Sequence, residues 1–182
     1  MTELSFLAHS MGGLVTRAAA HVAEADGLRW RDRARAMVFL GTPHHGAPLE
    51  RHGNLFEFAL GVSPYSAALT RLARIRSAGV TDLRYGNVLD EHWAGRDRFA
   101  RAEDPRGALA LPAGVACYAV AGSLGRLGGD GLVPVASALG QHERPERSLA
   151  FPPDHRLVAA GANHLDLLSR EDVYEQIRSW LG

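Results

Sequence analysis

Four short apolar runs punctuate the chain, each closed by a turn-forming residue: LSFLA at 4–8, AMVFLG at 36–41, VACYAVAG at 115–122 and RLVAAG at 156–161. Their hydrophobicity is continuous rather than alternating. That predicts strands covered on both faces, as in a parallel sheet between two layers of helices. A helical pattern fills residues 13–25, between the first two runs. After the last run, SREDVYEQIRSWL at 169–181 places Val173, Ile177, Trp180 and Leu181 on one helical face. Ser169 and Asp172 there have the spacing of a capping box. Strand–helix alternation of this kind predicts an open α/β sheet.

From 47 to 112 the pattern changes to short amphipathic stretches joined by Gly and Pro turns. A long insertion between two sheet strands commonly lies over the carboxyl edge of the sheet, where ligands bind. The segment reads either as a cap over that edge or as helices that enlarge the fold. With no repeat and no low-complexity linker, residues 1–182 read as a single domain containing this insertion. The length suits one hydrophobic core.

Composition narrows the function. Formal net charge is zero, which gives no electrostatic reason to expect a nucleic acid or an anionic membrane as partner. All 20 basic residues are arginine, a bias spread over the whole chain rather than clustered as a phosphate site requires. The run RWRDRAR at 29–35 carries an acid within it and reads as a solvated helix end or turn. A single cysteine, Cys117, excludes an internal disulfide framework. No apolar stretch reaches the length of a membrane span, and no basic segment precedes the first apolar run as in a signal peptide. The expected location is cytoplasmic.

The chemistry concentrates around Ser10. A serine hydroxyl is a poor nucleophile unless a base takes its proton and the backbone presents it outward. AHSMG, with small residues Ala8 and Gly12 two positions either side of Ser10, follows an apolar run and opens a helix. It is one step from the G-x-S-x-G elbow that presents a nucleophile between strand and helix. The Met11 backbone N–H, at the helix start, becomes a candidate oxyanion donor. The competing reading makes Ser10 a simple helix cap. Partners later in the chain favour catalysis: Asp130 in the glycine-rich GGDGLVPV after the third run, and His164 in NHLDLL after the fourth. The order Ser, Asp, His, each at a strand's carboxyl end, is that of an α/β-hydrolase.

AHSMGG, FLGTPHHGA, GDGLVPV and NHLDLL together resemble the lipase and serine-esterase branch of the α/β-hydrolases, and in particular bacterial relatives of the PGAP1-like deacylases. The resemblance implies an α/β-hydrolase fold, a mostly parallel sheet with helices on both faces, and residues 47–112 are expected as a helical cap or lid within it. It implies a Ser10–His164–Asp130 triad acting on carboxylic esters through an acyl-enzyme, with no cofactor and an ester or lipid as substrate. Acyl transfer to an alcohol would use the same residues. His9, His44 and His45 are candidates to line the pocket; packing is favoured for His9, while His44 and His45 could equally hold a loop. His155, beside prolines, reads as surface. Asp166 matches an aspartate that helps bind calcium in some related lipases, but no other calcium ligand is identifiable, and a structural role is favoured.

That family's sheet has strands before the nucleophile strand, and a loop after one of them gives the second oxyanion N–H. Only three residues precede Leu4. The expectation is an N-terminally truncated fold whose reading frame starts further upstream. If the chain is this short, its nucleophile strand becomes an open edge suited to pairing. The alternative to an enzyme is then a non-catalytic fragment or interaction module lacking the oxyanion loop. The apolar residues of the insertion, Leu55, Phe56, Phe58, Leu60 and Tyr65, suit either a hydrophobic acyl chain or the insertion's own core.

Overall fold

The computed structural model describes residues 3–47, 109–125 and 128–182. Four strands form one parallel sheet in the order β1 (Leu4–His9), β2 (Ala34–Leu40), β3 (Ala116–Ser123) and β4 (Arg156–Ala160). The described helices longer than a single 3₁₀ turn are α1 (Met11–Ala25), α2 (Val135–Ala138) and α3 (Glu171–Leu181). All four apolar runs are therefore strands, as their continuous hydrophobicity predicts.

Period-two alternation sends neighbouring residues of the central strands into two separate cores. Met37, Phe39, Cys117, Ala119 and Ala121 pack with Ala20 of α1 and Ala138 of α2. Val38, Leu40, Tyr118 and Val120 pack with Val173, Ile177, Trp180 and Leu181 of α3. Small residues on β3 let helices and loops approach the sheet closely, and large ones on β2 fill the space. At the edge, β1 buries Ala8 against the α1 side but leaves Leu7, on the opposite face, 59% exposed.

Two local expectations fail for physical reasons. The capping box at Ser169 does not form, because Arg170 takes the N-cap position of α3 and no side chain caps there. Arg170 instead holds Asp172 through two hydrogen bonds, 2.8 and 2.6 Å, and donates to the Ala160 carbonyl at 2.9 Å. Those contacts fix the helix start one residue later than a serine cap would. His155 is half-buried rather than free on the surface: its ring lies 4.1 Å from that of Tyr118, and its Nδ1 is 3.0 Å from the Cys117 carbonyl. Most of the insertion, including Leu55, Phe56, Phe58, Leu60 and Tyr65, lies outside the described residues.

Candidate active site

The turn from β1 into α1 is built on an unusual backbone. Ser10 has φ 54° and ψ −130°, and among the described residues it is the only non-glycine with positive φ. Such a conformation normally requires glycine. The turn is held by the Ser10 N–H, which donates to the Leu40 carbonyl at 2.9 Å. Ser10 occupies the N-cap position of α1, yet its side chain makes no capping hydrogen bond. Met11 is the first residue of the helix, so its N–H has no intrahelical acceptor.

Crowding falls on a different glycine from the one the elbow pattern singles out. A Cβ on Gly12 would meet nothing within 4 Å, whereas one on Gly13 would lie 2.0 Å from Thr42 Oγ1. Close approach of α1 to the loop after β2 therefore depends on Gly13. The sequence could not assign this, because Thr42 is distant along the chain.

Asp130 and His164 are brought together at the carboxyl ends of β3 and β4. His164 Nδ1 lies 2.7 Å from Asp130 Oδ2, with both side chains almost wholly buried. The other carboxylate oxygen, Oδ1, accepts the backbone N–H groups of Leu132 and Val133 at 2.9 and 2.7 Å. A carboxylate accepts from Nδ1–H, which leaves Nε2 of His164 as the unprotonated nitrogen. The turn carrying His164 is braced by its neighbours. Asn163 Oδ1 accepts from the Leu165 and Asp166 N–H groups, and Asp166 Oδ2 accepts from the Asn163 N–H, all at 2.9 Å. Asp166 thus helps shape the loop.

Beneath this pair lies Gly41, at the end of β2, with φ 54°. A Cβ there would come within 3.0 Å of His164 Cε1 and Nδ1 and 3.1 Å of Asp130 Oδ2. Gly41→Ala is expected to destabilise the protein by about 1–2 kcal/mol through its left-handed backbone. By displacing the imidazole it should also lower any His164-dependent rate by roughly a hundredfold. Thermal melts and rate measurements on the same preparation check both effects.

The remaining histidines differ sharply. His9 Nε2 lies 3.0 Å from the His164 carbonyl, and the two imidazoles are 4.5 Å apart. His45 is half-buried, and its N–H donates to Ser137 Oγ at 3.1 Å. His44 is buried between Phe39 and Phe151. Its Nδ1 is 3.2 Å from Nη1 of the buried Arg17, which also donates to the Leu109 carbonyl. Arg17 lies on the buried stripe of α1 with Gly13, Leu14 and Ala20, a placement that helical spacing would have exposed as an arginine facing the core. Cys117 offers no rival nucleophile, since burial pushes its thiol up to about 12.

Burial, then Arg17 and His45, hold the His44 pKa well below the usual 6.5. A group whose folded pKa is depressed gives stability that is complete above its unfolded value and is lost as pH falls toward the folded one. Stability should therefore decline below about pH 6.5, by up to about 1.4 kcal/mol per pH unit for each proton taken up on unfolding. His44→Asn keeps an acceptor for Arg17 but cannot protonate. Melting temperatures from pH 7.5 to 5 should fall less in this variant than in the parent, a span from about one unit above the histidine value to about one and a half below it.

No group of three or more His, Cys, Asp or Glu among the described residues is placed to hold a metal ion. No described helix is long and apolar enough to cross a membrane. The family model described as PGAP1-like alpha/beta domain matches residues 1–105. The chain belongs to this family. The PGAP1-like match takes in β1, the Ser10 turn, α1, β2 and Gly41. Two solved structures are similar to it over nearly the whole chain. The Bacillus licheniformis lipase BlEst2, in mature form, superposes over 98% of this chain and 65% of its own, with a TM-score of 0.54 and 15% identity. The meta-cleavage product hydrolase CumD from Pseudomonas fluorescens covers 97% of this chain and 63% of its own, with a TM-score of 0.45 and 15% identity. No curated protein sequence matches. The PGAP1-like chain has the α/β-hydrolase fold and spans about 65% of the length of the lipase it resembles.

Proposed function

We propose that this PGAP1-like protein is a serine hydrolase that cleaves carboxylic esters through Ser10, His164 and Asp130. The observation that carries the reading is the buried 2.7 Å bond from His164 Nδ1 to Asp130 Oδ2, whose histidine is in turn packed beside the residue preceding Ser10. The strained, uncapped Ser10 supports the same reading, because a serine serving only as a helix cap needs neither feature.

In this mechanism Nε2 of His164 takes the Ser10 Oγ proton as Oγ attacks the ester carbonyl. The C–O bond to the alcohol then breaks, and His164 returns the proton to the departing oxygen. Water repeats the sequence on the acyl-enzyme and releases the acid. Asp130 holds the imidazole in the required tautomer and balances its positive charge. The Met11 N–H donates to the oxyanion. Leu165, which follows His164 in the chain, is exposed, and apolar surface there suits an ester with an apolar acyl or alcohol part.

A panel of p-nitrophenyl esters of increasing acyl length tests the activity. Turnover is expected on at least one ester, and Ser10→Ala should bring it to the uncatalysed background with the circular dichroism spectrum unchanged. A folded Ser10→Ala protein with parental turnover would refute the assignment.

A further inference from the structure

We propose that His9 is a positioning residue: it ties the nucleophile strand to the loop carrying His164 and holds that imidazole in register with Ser10. The inference rests on the triad reading above and adds a residue to it. Ala8 points into the α1 core, so alternation sends His9 to the opposite face of the sheet, where the His164 loop lies. There its Nε2–H donates to the His164 carbonyl at 3.0 Å, and its ring packs against the catalytic imidazole at 4.5 Å and 44°. The His164 N–H donates to the Asp130 carbonyl at 3.1 Å. The base is thus gripped through its N–H, its C=O and its Nδ1. Among the described residues, the His9 bond is the hydrogen bond that joins β1 to the loop from 161 to 168.

The contact also constrains charge. His164 becomes cationic during acyl transfer, and a second cation at this distance would oppose it. Burial, followed by repulsion from His164, lowers the His9 pKa; the bond to the His164 carbonyl and the charge of Asp130 act the other way with less weight. A neutral His9 with its proton on Nε2 supplies the hydrogen bond without the competing charge.

The test compares His9→Phe, which keeps a ring but no donor, with His9→Gln, which restores a donor without a titratable group. His9→Ala, which adds no bulk, repeats the donor-free case. Two quantities are read: the rate constant for fluorophosphonate labelling of Ser10, and the downfield proton resonance of the His164–Asp130 bond. Loss of the donor is expected to slow labelling by about tenfold or more and to broaden the resonance, while His9→Gln recovers most of both. Parental labelling and an unchanged resonance in folded His9→Phe or His9→Ala would overturn the proposal. Labelling that survives Ser10→Ala would overturn the triad reading instead, and the resonance would then decide the role of His9.

Discussion

Ser10→Gly should abolish ester turnover and at the same time make the protein more stable. Loss of the nucleophile is expected to cost on the order of 10⁶ in kcat. The stability change follows from φ 54° and ψ −130° at Ser10, a conformation suited to glycine. Holding a residue with a Cβ there costs roughly 1–3 kcal/mol. Glycine adds unfolded-state entropy worth about 0.5–1 kcal/mol in the other direction. The first term wins, so a net gain of roughly 1 kcal/mol is expected in chemical denaturation. A residue retained in a strained conformation for its chemistry behaves this way. A capping serine does not, since its loss would weaken the helix.

Asp130→Asn is the second large effect, and its cause is the wiring of the carboxylate. Oδ1 receives two backbone N–H groups, from Leu132 and Val133. An asparagine must place its carbonyl oxygen there, because its NH₂ would meet two donors. The NH₂ then takes the position of Oδ2 and faces His164 Nδ1 as a donor. The imidazole is forced to carry its proton on Nε2, where it cannot accept one from Ser10. The rate should fall by about 10⁴-fold, the scale known for this change in serine proteases, with little loss of stability. Asp130→Ala, by contrast, leaves Leu132 N–H, Val133 N–H and His164 without a buried partner and should destabilise by about 1–3 kcal/mol. A rate loss in Asp130→Asn no larger than that of a surface substitution would contradict this wiring.

Much of the fold was legible because its determinants are local. Continuous apolar runs bounded by turn residues point to the parallel strands, and the stripe of Val173, Ile177, Trp180 and Leu181 to the buried face of α3. Motif and chain order point to Ser10, Asp130 and His164 as candidates, and the fold brings two of them, His164 and Asp130, into contact. What local pattern could not supply were contacts between distant segments. Gly41 matters because His164 and Asp130 pack over its Cα, and Gly13 because Thr42 does. The link from His9 to the His164 carbonyl spans 155 residues. The cap of α3 departs from the capping-box spacing because Arg170, drawn to Asp172 and to the Ala160 carbonyl, fixes the helix start one residue later. In each case a side chain far along the sequence, or a competing ion pair, decided the outcome.

Fluorophosphonate labelling of the purified 182-residue chain, with the modified peptide identified by mass spectrometry, tests directly whether Ser10 is an activated nucleophile. A phosphonyl adduct on Ser10 is expected, lost in Ser10→Ala and formed far more slowly in Asp130→Asn. Folded protein that takes up no label at Ser10 would contradict that assignment.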